Sequence, residues 1–169
     1  RSRVPSMQLA GLAFDELGES WTEKGGSSVG VLLLSVGSPE TPDDVEEYLF
    51  NVFCDPEIMT LPQYLGFIKR PLAWFIAKSR ASEARAAMIQ AGGESPQVAT
   101  IRKQADKLEV ALRERGIDAS LFVAMRYWRP LAEDAVAEMT QQNVTRLVII
   151  PLYPHFSIST SGSALRVLE

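Results

Sequence analysis

An apolar run that stops at a proline constrains the fold of this chain more than any other feature. Residues 147–150 are all apolar, Pro151 follows them, and the loop of residues 151–162 then carries the chain's single histidine, aromatic side chains and many hydroxyls. Such a run is typical of a strand buried on both faces. In open α/β sheets ligands bind at the carboxyl ends of the strands, so this loop is a candidate site.

Two more apolar runs, residues 29–36 and 119–125, predict further buried strands. After the first run, Thr41 and Pro42 are suited to the N-cap and first position of a helix. The apolar residues of that helix recur at three- and four-residue steps and give it one apolar face: Val45, Tyr48, Leu49, Val52 and Phe53.

Helical patterns fill the rest of the space between the apolar runs. The prolines at 56, 62 and 71 predict breaks in regular structure. The large apolar residues within 64–76 are expected in short helices that cover a hydrophobic surface. Helices are predicted for residues 81–91, from Ser95 to about Gly116, and from Pro130 onward. The alternation of strand and helix predicts a parallel, right-handed α/β layer fold in which helices flank the sheet.

Composition limits the classes of function that remain. The 169 residues fit one domain of ordinary globular composition, with 46% apolar and 22% charged residues. A net charge of −4 without a basic block argues against a nucleic-acid partner. No apolar run approaches the roughly 20 residues of a membrane span, and peripheral membrane contact is left open. The single cysteine, Cys54, excludes an internal disulfide or a Cys-rich metal site within this chain.

Residues 1–28 are set apart from the fold by a Gly-Gly-Ser-Ser stretch that precedes the first strand. Their arginines and small residues fit the remnant of an organelle transit peptide, whereas their four acidic residues fit a flexible tail better. Both interpretations stay open. The fold is therefore predicted for residues 29–169.

Because parallel strands end at the same edge of a sheet, the segments that follow the three runs should lie together. They are residues 37–39, 126–129 and 153–157, which combine aromatic rings, guanidinium groups and hydroxyls. A planar apolar ligand with carboxylate tails would suit this mixture. A nucleotide suits it less, since no glycine-rich phosphate motif is present. Structural roles remain as alternatives: a helix cap or an ion pair with a surface acid for Arg126, core packing for Tyr153, a hydrogen-bonded histidine at His155, and turn formation for the serine and threonine cluster.

At these segments the sequence resembles the N-terminal half of ferrochelatases, particularly those of plants, algae and cyanobacteria. The resemblance runs from residue 29 to the end of the chain. It rests on Val-Gly-Val-Leu-Leu-Leu-Ser-Val-Gly-Ser-Pro-Glu-Thr from residue 29, Leu-Phe-Asn-Val-Phe-Cys-Asp-Pro-Glu-Ile-Met-Thr-Leu-Pro from residue 49, Gly-Gly-Glu-Ser-Pro from residue 92, Met-Arg-Tyr-Trp from residue 125, and Pro-Leu-Tyr-Pro-His-Phe-Ser-Ile-Ser-Thr-Ser-Gly from residue 151.

The resemblance implies insertion of Fe²⁺ into protoporphyrin IX to form haem, with no cofactor. It implies an α/β fold with a Rossmann-like parallel sheet flanked by helices, one of the two half-domains of the class II chelatase fold, and a C-terminal half-domain as the missing partner. Val36 would face the metal side of the macrocycle. The other residues implied at the porphyrin are Leu49, Val52, Phe53, Arg80, Met88, Ser95, Arg126, Tyr127 and Tyr153.

Departures from the family pattern limit what this chain is expected to do. The family's catalytic histidine lies in the C-terminal half, so no catalytic residue is expected here, and the chain alone should not metallate porphyrin. His155 is a candidate metal contact only. Ser38, Met88 and Arg129 replace a glycine, a tyrosine and a histidine of the family pattern. Alternatives are a chelatase for a related tetrapyrrole, or a truncated, non-catalytic porphyrin-binding isoform. The expected location is plastid or mitochondrion, or the cytoplasm for a bacterial protein.

Overall fold

A three-stranded parallel sheet forms the centre of the fold in the computed structural model, which describes residues 28–155 and 157–168. The strands are β1 (Ser28–Ser35), β2 (Ala119–Met125) and β3 (Val144–Pro151), in the order β2-β1-β3. The predicted parallel α/β architecture is confirmed. The N-terminal segment predicted to be a tail or transit-peptide remnant lies outside the described residues, apart from Ser28.

The central strand β1 is buried on both faces, as its apolar run predicts. Leu32 and Leu34 point to one face of the sheet, and Val31 and Leu33 point to the other. Leu33 pairs with Val123 of β2 on one side and with Ile150 of β3 on the other. Two hydrophobic clusters therefore form, one on each face.

The helices flank the sheet as two layers. They are α1 (Val45–Cys54), α2 (Lys69–Gln90), α3 (Gln97–Glu114), α4 (Ala132–Gln141) and the short α5 (Ser163–Arg166). Buried residues of α3 pack with Val31 and Leu33, and buried residues of α4 and α5 pack with Leu32 and Leu34. Helix α1 packs mainly on α2. The Asp44 carboxylate accepts hydrogen bonds from the backbone N–H and hydroxyl of Thr41, which fixes the predicted start of α1.

The prediction that β3 is buried on both faces is wrong. No residue of β3 is buried, and Val148 in its middle is 37% exposed. The reason lies in the order of the strands: β3 is at the edge of the sheet and pairs only with β1 among the described strands. Its apolar sequence still packs partly on both clusters, through Leu147 and Ile149 on one face and Ile150 on the other.

The prediction that Pro71 interrupts regular structure is also wrong. A 3₁₀ turn at Gln63–Ile68 leads directly into α2, and Pro71 lies in the first turn of that helix. Proline is tolerated there because the first N–H groups of a helix have no intrahelical acceptor. The aromatic residues of this region do not cover a hydrophobic surface. They are 50–78% exposed, and we call these four residues the aromatic patch: Tyr64, Phe67, Trp74 and Phe75.

Candidate functional site

The segments that follow the three strands meet at the carboxyl edge of the sheet, as predicted. The backbone N–H of Arg126 donates to the carbonyl of Ser35 at 2.8 Å, and that of Tyr127 donates to Val36 at 3.0 Å. On the other side of β1, the N–H of Leu152 donates to the carbonyl of Leu34 at 2.8 Å. The loop after β1 is thus held between the loops that follow β2 and β3.

Gly37 allows the close approach of the first two loops. Its φ is +84°, a left-handed conformation that side chains disfavour. A Cβ at this position would lie 3.0 Å from the Cβ of Met125 and 3.1 Å from the Cβ of Trp128. Only glycine fits here without displacing the loop after β2.

An apolar cavity of about 260 Å³ opens between the loop after β1, helices α1 and α2, and the start of α3. Two serine hydroxyls at its rim are already paired, because the Oγ atoms of Ser38 and Ser95 lie 2.6 Å apart. The cavity brings together three residues predicted at the porphyrin, Leu49, Met88 and Ser95. Its full lining is Ser38, Pro39, Val45, Tyr48, Leu49, Ala84, Met88 and Ser95.

A second cavity, of about 220 Å³, lies on the other side of α1 and includes Arg126 and Tyr127, two more of the predicted residues. Helix α1 separates the two cavities. Tyr48 on this helix meets Trp128 edge-to-face, with ring centroids 6.4 Å apart. The second cavity is lined by Asn51, Cys54, Met125, Arg126, Tyr127, Leu131, Ala132, Glu133 and Val167.

A buried carboxylate lies behind Arg126 and Tyr127, and sequence reasoning missed it. The side chain of Asp55 is 1% exposed, and its Oδ2 accepts hydrogen bonds from the Tyr127 hydroxyl at 2.6 Å and from Nη2 of Arg126 at 2.9 Å. The Ser163 hydroxyl donates to the same oxygen. Burial, and then the hydrogen bond to Asp55, raise the pKa of Tyr127 far above its usual range, so its hydroxyl remains a donor. The one available sign was an acid in the otherwise apolar stretch 52–56.

Tyr153 has a buried hydroxyl that makes no hydrogen bond within the described residues. Burial raises its pKa to about 12, while the positive charge of Arg126 acts in the opposite direction and Tyr48 raises it slightly further. Buried polar groups in proteins nearly always have a partner. The Tyr153 hydroxyl is therefore available to a water molecule or a bound ligand.

The profile of the ferrochelatase family matches residues 28–169, which include every residue of both cavities. The chain belongs to the ferrochelatase family. It is 49% identical over 143 residues to the ferrochelatase of Thermosynechococcus vestitus, an alignment that covers 85% of this chain and 36% of that protein. It is 50% identical over 141 residues to the ferrochelatase of Prochlorococcus marinus, covering 83% and 36%.

Plant ferrochelatases match almost as closely. Ferrochelatase-2, chloroplastic, of Oryza sativa subsp. indica is 47% identical over 145 residues, covering 86% of this chain and 28% of that protein. The corresponding protein of Arabidopsis thaliana is 46% identical over 143 residues, covering 85% and 28%. The chain thus spans 28–36% of the length of these curated relatives.

The remaining residues predicted at the porphyrin or the metal are spread around the site. Val36 is half-buried in the loop after β1, and Val52 and Phe53 are half-buried near the end of α1. Arg80 is exposed on α2 and lines neither cavity. His155 is exposed after β3. Within residues 28–155 and 157–168, no group of three or more His, Cys, Asp or Glu side chains is arranged to hold a metal ion.

Proposed function

We propose that the protein containing this chain inserts ferrous iron into protoporphyrin IX to form haem, and that this chain supplies one wall of the porphyrin cleft. The observation that carries the proposal is the family match across residues 28–169, which spans the whole carboxyl edge of the sheet. Iron and porphyrin are both substrates in this reaction, and no cofactor is proposed.

The chemistry of this edge suits one face of a flat macrocycle. Apolar rings would pack against Leu49 and Met88, and the unpartnered hydroxyl of Tyr153 would meet a polar atom or water at the ring. A rigid apolar wall favours metallation when it fits a distorted ring better than a flat one, because only interactions stronger in the transition state accelerate the reaction.

A second wall is part of the proposal, because each cavity is small. At about 260 and 220 Å³ both lie below the roughly 300–1,000 Å³ of typical ligand pockets. Metallation also releases two pyrrole protons, which a general base has to accept. We propose that the remainder of the protein, a C-terminal half-domain, supplies that wall and that base.

A metallation assay tests the proposal. Purified full-length protein is given protoporphyrin IX with Fe²⁺, or with Zn²⁺ as a more stable substitute, and the loss of free porphyrin fluorescence is followed. We expect turnover above the uncatalysed rate from the full-length protein, and none from residues 28–169 alone. A full-length protein without turnover with either metal would refute the proposed activity, and turnover by residues 28–169 would refute the need for a second half.

We further propose a plastid location for the protein, or the cytoplasm if its source is a bacterium. The support is indirect: the rice and Arabidopsis relatives are named chloroplastic, and others come from cyanobacteria. A fluorescent fusion of the full-length precursor, imaged in plant or algal cells, is expected to coincide with chlorophyll. A signal confined to mitochondria would contradict this.

The aromatic patch supports peripheral contact of the protein with a membrane. Exposed aromatic rings beside cations favour the interface of an anionic bilayer. Here Nζ of Lys78 lies 4.8 Å from the ring centre of Trp74, which is 50% exposed. No described helix has the length and apolar character to cross a bilayer. We propose that the exposed rings of the aromatic patch contact the surface of a bilayer.

Vesicle sedimentation of the full-length protein tests this contact. With vesicles containing phosphatidylglycerol, the double variant Phe67→Ser/Phe75→Ser should bind about thirtyfold more weakly, because each of the two rings loses partial burial worth roughly 1 kcal/mol. Val110→Ser, which removes a 52% exposed apolar side chain from α3, is the control and should bind normally. Equal binding by all three proteins would rule out the aromatic patch as the contact.

A further inference from the structure

Three segments of the candidate site converge on Asp55, the residue that ends α1. Its carboxylate meets Arg126 and Tyr127 from the loop after β2, and Ser163 from the first position of α5. A second ion pair, Arg166 with Glu57, joins the turn after Asp55 to α5. Asp55 thus links the end of α1 to the loop after β2, which lines the second cavity, and to α5, which follows the loop after β3.

Both oxygens of Asp55 are engaged. Oδ2 accepts from three side chains, and Oδ1 accepts from the backbone N–H of Glu57 at 2.8 Å. Burying a carboxylate is costly unless hydrogen-bond donors and a cation compensate it, and Asp55 has both. This carboxylate therefore imposes a single geometry on its donors.

Arg126 is held from several directions as a result. Nη2 donates to Asp55, Nε donates to the Ser163 hydroxyl at 2.8 Å, and the guanidinium lies 5.0 Å from the centre of the Tyr127 ring. Its side chain is 21% exposed. Among residues 28–155 and 157–168 the side-chain hydrogen bonds of Arg126 use Nε and Nη2, so both N–H groups of Nη1 are left for other contacts.

The positive charge of Arg126 also acts on Tyr153, the other polar group of the proposed wall. It lowers the pKa of Tyr153, against the larger effect of burial, and so acts on the unpartnered hydroxyl after β3. Without Asp55, Arg126 would be a largely buried cation without a counter-ion, and it would turn toward water.

We propose that Asp55 is a positioning residue for the porphyrin site: it fixes Arg126 so that Nη1 faces the ligand in one arrangement. This inference rests on the proposed function, since it assigns Asp55 a role in the same cleft. Asp55 does not touch the substrate in this arrangement and acts only through Arg126.

A double-mutant cycle in the full-length protein tests the role. We expect Asp55→Asn, which keeps the shape and removes the charge, to lower kcat/KM for protoporphyrin by about tenfold or more, with a change in porphyrin KM. In Arg126→Gln, the further Asp55→Asn change should have little effect, a non-additivity of about tenfold as expected within one salt-bridge network. Asp134→Asn is the matched control, because that exposed carboxylate only accepts from the backbone N–H of Leu131.

A second measurement does not depend on activity. In ¹⁵N-arginine NMR spectra, the Nε–H of Arg126 should be protected from exchange with water in the wild type, and exchange at least tenfold faster in Asp55→Asn. Should Asp55→Asn fail to fold, Ser163→Ala replaces it in the cycle. That variant keeps the ion pair but removes one hydrogen bond from Asp55 and one from Arg126. It should lower kcat/KM and speed the Nε–H exchange in the same direction, but by less.

Three results would overturn the inference. They are a wild-type porphyrin KM and kcat in folded Asp55→Asn, independent effects of the two substitutions, or unchanged Nε–H exchange. Absence of metallation by the wild type would instead refute the proposed function, and the Nε–H exchange would still decide whether Asp55 holds Arg126.

Discussion

Removal of the Tyr127 hydroxyl should destabilise the fold by a calculable amount. Tyr127→Phe deletes one hydrogen bond, 2.6 Å long, to a buried carboxylate. Bonds to charged groups contribute roughly 1.5–3 kcal/mol. Asp55 would keep Arg126 and Ser163 as donors, so the larger penalty of roughly 3–5 kcal/mol for breaking a buried ion pair should not apply. We expect a loss of about 1.5–2 kcal/mol.

Urea unfolding measures this loss. The midpoint of the transition should fall while the m-value stays constant, since the surface exposed on unfolding is unchanged. Tyr64→Phe is the matched control, because the same hydroxyl is removed from a side chain that is 76% exposed. The control should stay within about 0.5 kcal/mol of the wild type.

Two outcomes would refute this reasoning. A loss below about 0.5 kcal/mol would mean that the hydroxyl contributes no more than a surface group. A loss above about 4 kcal/mol would mean that the Asp55–Arg126 pair depends on Tyr127, and that the three donors do not act separately.

Three further predictions concern the core, the loop after β1 and pH. Leu32→Ala, at a fully buried position in β1, should lower the unfolding free energy by about 2–5 kcal/mol in urea. Gly37→Ala should destabilise more than Gly116→Ala: the φ values are similar, +84° and +76°, but only Gly37 has atoms near the added Cβ. Between pH 10 and about 12 the unfolded chain releases the Tyr153 proton while the folded state keeps it. The unfolding free energy should therefore fall as pH rises through this window, and Tyr153→Phe should reduce that fall.

Local pattern was sufficient for much of the fold. The position of β1 follows from an apolar run, and its bounds are confirmed within one residue. The position of α1 follows from a helical repeat that begins after Thr41 and Pro42, and the helix is confirmed, although a short 3₁₀ turn precedes it. The meeting of the loops at the carboxyl edge also followed, because it is a geometric property of parallel strands. The predicted roles of the individual porphyrin residues remain predictions.

The errors arose where a residue's environment depends on distant parts of the chain. An apolar sequence such as that of β3 is compatible with a central strand and with an edge strand, and only the order of strands in the sheet distinguishes the two. The sequence predicts a break at Pro71 because no signal in it marks the start of α2. A proline disrupts the interior of a helix but is tolerated in the first turn, where Pro71 lies.

Sequence alone determined the class of fold, the edge of the sheet at which the loops meet, and the family, since periodicity and motifs are properties of neighbouring residues. Tertiary structure decided which polar groups meet. Asp55 and Ser163 are 108 positions apart, and Asp55 and Tyr127 are 72 apart. Spacing along the chain carries no information about such contacts. They form because burying a carboxylate is favourable only where folding also brings its donors to it.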